Sequence, residues 1–124
     1  MHSEVIRGCL MIHTMIGLAA ALSLVPGPAV ADSSLTLTYQ AKAVKLTCDP
    51  SGGGHPKADQ ACATLRGSGG NPARLEAGDS LCMMLYQPVT ARVKGTWQGK
   101  RVKWERTYGN SCEMTRATGV LFQF

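Results

Sequence analysis

The stretch VTARVKGTWQGKRVKWERTY, residues 89–108, reads as two strands folded back on each other. In its first half, positions 89, 91, 93, 95 and 97 are apolar or glycine, while 90, 92, 94, 96 and 98 are polar. That period of two marks a half-buried strand. In the second half Val102, Trp104 and Tyr108 share one face, and Arg101, Lys103 and Glu105 share the other. With Gln98–Gly99 as a two-residue turn the two registers agree. Val93 then lies opposite Trp104, Val89 opposite Tyr108, and Arg92 opposite Glu105 on the solvent side.

Working outward, LTLTY (35–39) alternates in the same way, and KAVKLTC (42–48) puts Val44, Leu46 and Cys48 on one face. DPSGGGHP (49–56) is a loop by composition. The period then changes. Ala58, Ala61, Cys62 and Leu65 fall on one face of a short helix, with Pro56 suited to its first turn and Gly67 to its C-terminal cap. GSGGNP (67–72) is a second loop, and LEAGDS (75–80) has room for one helical turn. The chain ends in GVLFQF, with Val120, Phe122 and Phe124 aligned as in a last strand. The expected fold is α+β, with about five antiparallel strands and one or two short helices on one face.

The first 31 residues are expected to leave. MHSEVIRG is followed by an apolar run to Val25 and by PGPAVA, whose Ala29 and Ala31 have the small-x-small spacing of a signal peptidase site. Cleavage after Ala31 leaves one domain, residues 32–124, with no membrane association once the signal is gone, and an extracellular location. Four cysteines remain: Cys48, Cys62, Cys82 and Cys112. An even number in a small secreted domain predicts two disulfides, and four cysteines allow three pairings. No pair has C-x-x-C spacing and His55 is the sole mature histidine, so no metal site and no cofactor is expected. His55, beside Pro56, reads as a loop or helix-start residue. The net charge is +5, unchanged by loss of Arg7 and Glu4, and reads as a solubility feature.

LCMMLYQPV (81–89) obeys neither period. Two methionines, a leucine and a tyrosine stand between a loop and the hairpin. They either fill gaps in the core, as methionine often does, or form an exposed apolar loop between Cys82 and Pro88. Exposed apolar patches mark binding sites, and an extended segment can lie in a protease cleft as an added strand.

From LTC at 46–48 to the C-terminus the chain resembles the subtilisin-inhibitor family of secreted actinomycete proteins. The matching pieces are LTCDPSGGGHP, ACATL, CMMLYQPV, GTWQGKRVKWER, NSCEM and VLFQF. The resemblance implies a five-stranded antiparallel sheet with two helices, disulfides Cys48–Cys62 and Cys82–Cys112, and commonly a homodimer. It implies that Met84 donates the scissile carbonyl, that Leu85 lies on the leaving side, and that Leu81 fills a pocket three residues upstream. Met83, Tyr86, Gln87 and Pro88 complete the protease-binding loop with Cys82. Family members usually carry proline where this chain has Met83, which bears on loop rigidity. Asn110 either braces the loop by hydrogen bonding or sits in an ordinary turn with Gly109.

Met84 is long, unbranched and uncharged. It suits a deep apolar pocket of the subtilisin type, with chymotrypsin-like enzymes as a second class, and does not suit a trypsin-type pocket with its buried acid. Three rivals stand against an inhibitor. An enzyme lacks a G-x-S-x-G or metal motif. A nucleic-acid module would use GKRVKWER, but alternation sends Trp104 away from Arg101 and Lys103, so no nucleic-acid partner is expected. The third is a secreted structural or interaction protein of the same fold that has lost inhibition.

Overall fold

The computed structural model describes residues 30–124. The signal segment expected over 1–31 lies outside these residues, save its last two positions. The strands are β1 (Ser33–Tyr39), β2 (Lys42–Cys48), β3 (Gly52–Gly53), β4 (Val89–Trp97) and β5 (Lys100–Tyr108). The helices are α1 (Ala58–Gly67) and α2 (Ser111–Thr118). All five strands form one antiparallel sheet in the order β3-β2-β1-β4-β5.

The hairpin has the register its alternation predicts: Val89 pairs with Tyr108, Arg92 with Glu105 and Val93 with Trp104. Gln98 and Gly99 both have positive φ, 48° and 81°, the combination that a two-residue turn needs to match the twist of the strands. The Gln98 amide also donates to Ser33 Oγ at 2.9 Å, fixing the turn to the start of β1. Central β1 places Leu37 between Val44 and Val93, and all three belong to the apolar face of the sheet.

Both helices cover that face. Ala61, Cys62 and Leu65 of α1 and Met114 of α2 are buried against Leu35, Leu37, Leu46, Val89, Ala91 and Val93. Truncating a fully buried leucine such as Leu37 to alanine costs about 2–5 kcal/mol in such a core. Cys48 and Cys62 are bonded, with Cα atoms 5.7 Å apart, which staples α1 to β2.

Three local expectations are corrected. GVLFQF forms no strand; the fifth strand is Gly52–Gly53, which pairs with Leu46 and Thr47 at the opposite edge. The tail instead folds over the apolar face, burying Leu121 and Phe122. It is held by Tyr39 Oη donating to the Phe124 carbonyl at 2.9 Å and by T-shaped contacts of the Tyr39 ring with Phe122 and Phe124. LEAGDS holds no helical turn; the turn lies earlier, at Pro72–Arg74, where Asn71 Oδ1 accepts from the Ala73 amide. Its proline presets the backbone and its asparagine satisfies a free N–H. Helix α1 begins two residues after Pro56, with Lys57 at its N-cap position making no side-chain capping bond, and Gly67 is its last residue rather than its cap.

His55 is buried between α1 and the tail. The Lys57 amide donates to Nδ1, so Nε2 carries the proton and donates to the Leu121 carbonyl, both at 2.9 Å. Its role is to join two segments distant in sequence.

Candidate functional site

Between the turn at 72–74 and β4 the chain has no regular structure, and this segment carries most of the exposed apolar side chains. Met84 is fully exposed at 105%, Leu81 at 97% and Met83 at 86%; Tyr86 and Leu85 are exposed as well. The core alternative for LCMMLYQPV therefore does not hold. Six neighbouring positions cannot all be buried from one backbone, and the sheet face they could have filled is taken by the tail and the helices.

The exposed segment is anchored on both sides. Upstream, Cys82 is bonded to Cys112 in the first turn of α2, with Cα atoms 5.8 Å apart, and the Gly78 amide donates to the Arg116 carbonyl at 2.8 Å. Downstream, the Gln87 amide donates to the Gly109 carbonyl at 2.8 Å, and Pro88 leads into β4 at Val89. At the apex the Leu85 amide donates to the Met83 carbonyl at 2.9 Å, a three-residue turn with Met84 at its centre.

Asn110 joins these parts. It is 8% exposed. Its Oδ1 accepts from the Glu113 amide at 2.8 Å, which caps α2. Its Nδ2 donates to the Leu85 carbonyl at 2.7 Å and to the Met83 carbonyl at 3.4 Å. One side chain thus holds the carbonyls on either side of Met84 and leaves Met84's own carbonyl out of its reach of bonds. Asparagine is suited to this because it offers an acceptor and two donors on one planar group. Gly109–Asn110 is the entry to α2 rather than the ordinary turn of the alternative reading.

Sequence reasoning missed α2 itself and the Gly109 carbonyl. Asparagine directly before an eight-residue segment, with Glu113 in its first turn, is the local signal of a helix start. Glu113 also lines the shallow cleft beneath Met83, Met84, Leu85 and Tyr86 and is paired with Arg116 at 3.1 Å. Tyr108, where β5 ends beside Gly109, has a displaced acidity: burial raises its phenol above the usual 10, partly opposed by the Arg106 charge. Among the described residues no group of three His, Cys, Asp or Glu side chains converges as metal ligands. No helix among them is long and apolar enough to cross a membrane.

A family model described as subtilisin inhibitor-like matches residues 19–110. The subtilisin inhibitor-like protein 4 of Streptomyces lavendulae is 54% identical over 85 residues, covering 67% of this chain and 73% of that one. The subtilisin inhibitor of Streptomyces albogriseolus is 44% identical over 107 residues, covering 85% of this chain and 72% of that protein. Among solved structures, Streptomyces caespitosus sermetstatin in complex with Bacillus licheniformis subtilisin is similar at a TM-score of 0.65 and 29% identity. That match covers 74% of this chain and 98% of that one.

Proposed function

The chain belongs to the subtilisin inhibitor-like family, and on that premise we propose that it inhibits subtilisin-type serine endopeptidases by offering Met84–Leu85 as a bait bond. It is an inhibitor and not an enzyme. The observation that carries this reading is the Asn110 amide bonded to the Leu85 carbonyl, and at longer range to the Met83 carbonyl, on either side of a fully exposed Met84.

A protease binds extended, flexible chains and releases two products. Here the loop is already ordered, which removes part of the side-chain and backbone ordering cost, roughly 0.5–1.5 kcal/mol for each immobilised side chain. Met84 enters the primary specificity pocket, Leu81 a pocket upstream, and Leu85 and Tyr86 lie on the leaving side. If the bond is cut, the acyl half stays tied through Cys82 to α2. The new Leu85 amine stays beside it through Asn110, Gly109 and β4. Holding reactants together turns a bimolecular step into an effectively unimolecular one, so resealing competes with hydrolysis.

The proposal extends to a signal peptide over 1–31, secretion of 32–124, chymotrypsin-like enzymes as secondary targets, and a homodimer. The apolar run before Ala31, the paired cysteines and the resemblance to secreted inhibitors support these points. The test is titration of the purified protein against subtilisin, chymotrypsin and trypsin, followed by sequencing of nicked inhibitor. A stoichiometric block of subtilisin with a new N-terminus at Leu85 is expected. Rapid digestion without inhibition would favour the alternative, a protein of the same fold that has lost the activity.

A further inference from the structure

Helix α2 holds the exposed loop at three points and the core at hardly more than one. Its Asn110 cap donates to the Leu85 carbonyl, Cys112 is bonded to Cys82, and the Arg116 carbonyl accepts from the Gly78 amide at 2.8 Å. On the core side only Met114 and Thr118 of its eight residues are buried. The Thr118 hydroxyl donates to the Met114 carbonyl at 2.6 Å, which closes the helix on itself. Ala117 is half-buried and contributes a single methyl. Met114, 2% exposed, is thus the one long apolar side chain that α2 sends into the core of Val89, Ala91, Val93 and Leu121. It lies one turn from Asn110 on the same face of the helix, and its amide donates to the Asn110 carbonyl at 3.1 Å.

We infer that Met114 is a positioning residue for the loop: it seats α2 on the sheet and acts on Met84–Leu85 through Asn110, Cys112 and Arg116. Its bearing on inhibition rests on Met84–Leu85 being the bait bond. Core packing is dense, so a buried side chain that fills its space leaves a helix little freedom to slide. Truncation opens a void into which the helix collapses only in part. A shift of about 1 Å would stretch the Asn110–Leu85 bond from 2.7 Å to beyond the normal range of hydrogen bonds. The two halves of the loop depend on α2 unequally. Upstream, Gly78 and Cys82 both have α2 as their partner. Downstream, Gln87 is held by Gly109 at the end of β5, and Val89 by its pairing with Tyr108. Loosening α2 therefore frees the acyl half first, and resealing needs that half to stay in place.

The test compares Met114→Ala with Leu46→Ala, which empties a fully buried position on β2, on the far side of β1 from β4. Both should lower the melting temperature. Only Met114→Ala should speed hydrogen exchange of the Gly78 amide, by about tenfold or more, while the Gln87 amide stays within about threefold of the unaltered protein. Only Met114→Ala should also be cut by subtilisin at Met84–Leu85 about tenfold faster, because the acyl half no longer waits beside its amine. Met114→Leu, which conserves volume, should restore both readouts. Equal acceleration at Gly78 in the two alanine variants would mean a general softening of the core and would overturn the inference. So would an unaltered Gly78 rate in Met114→Ala. If the unaltered protein fails to block subtilisin, the bait reading falls, while exchange at Gly78, which needs no protease, still decides whether Met114 holds the loop. Should Met114→Ala not fold, Met114→Val against Leu46→Val gives the same comparison, with the Gly78 effect expected at about threefold.

Discussion

Asn110 and Leu85 are joined by a 2.7 Å hydrogen bond from the amide nitrogen of one to the carbonyl of the other, while the same Asn110 side chain caps α2 at the Glu113 amide. Helix start and exposed loop are thereby one unit, and its two halves can be separated by substitution. Asn110→Ala removes cap and brace, and should lower stability by about 1–2 kcal/mol. Asn110→Asp keeps the accepting oxygen for the cap but turns an oxygen toward the Met83 and Leu85 carbonyls. It should melt close to the unaltered protein yet bind subtilisin at least about tenfold more weakly, a difference of roughly 1.4 kcal/mol. Undiminished binding of subtilisin by Asn110→Asp would mean that the brace adds nothing beyond the cap.

Met84→Lys should move inhibition from subtilisin toward trypsin, because a lysine finds its partner in a pocket that carries a buried acid. Inhibition constants against both enzymes decide this. An unchanged profile would place the bait bond elsewhere.

Peroxide should oxidise Met83 and Met84 first, because they are exposed, and spare Met114, which is 2% exposed. A sulfoxide is polar where an apolar side chain is needed, so inhibition of subtilisin should fall as Met84 oxidises, followed by peptide mass spectrometry. A Met84→Leu variant should keep its inhibition under the same treatment.

The two disulfides should fail differently. On loop entropy the Cys48–Cys62 bridge, separated by 14 residues, and the Cys82–Cys112 bridge, separated by 30, each contribute about 3–4 kcal/mol. Replacing Cys82 and Cys112 by serine frees the acyl half of the loop. That variant should become a substrate even where it remains folded. Replacing Cys48 and Cys62 should lower the melting temperature while the folded fraction still inhibits. Gel analysis of incubations with subtilisin separates the two.

Tyr108 makes stability sensitive to alkali. Burial raises its phenol in the folded protein above the value near 10 of the unfolded chain, so above pH 10 the unfolded chain loses this proton first and unfolding is favoured as pH rises. Below about pH 10 both states hold the proton and the group contributes no slope. Tyr108→Phe should flatten the decline of melting temperature as pH rises above about 10. An unchanged slope would assign the decline to other groups.

Much of the fold was legible in local chemistry. The hairpin register followed from alternation and a turn dipeptide, because a period of two admits one pairing that buries Val89 and Val93 with Tyr108 and Trp104. Helix α1 followed from the spacing of Ala58, Ala61, Cys62 and Leu65. The odd character of LCMMLYQPV was visible as a failure of either period. Helix α2 was not, since over eight residues it buries only Met114 and Thr118, too few to set a period. VLFQF misled for the opposite reason: its alternation is real, and burial of Leu121 and Phe122 is real, but the pattern names an apolar face without naming what it packs on.

The sequence alone determined which residues pair across the hairpin, which face of each strand is apolar, that Cys48, Cys62, Cys82 and Cys112 would be used in disulfides, and which family the chain resembles. Each of these is a local or compositional property. Only the tertiary structure decided that the tail covers the sheet instead of joining it, that two glycines supply the fifth strand, and that Asn110 sits between α2 and the loop around Met84. The two-glycine strand pairs with Leu46 and Thr47 only five to seven residues away, but the other two outcomes depend on which segments, 25 and 85 residues apart, meet in space. Hydrogen-bond partners at such separations are set by packing of the whole core, and no period or turn signal carries them.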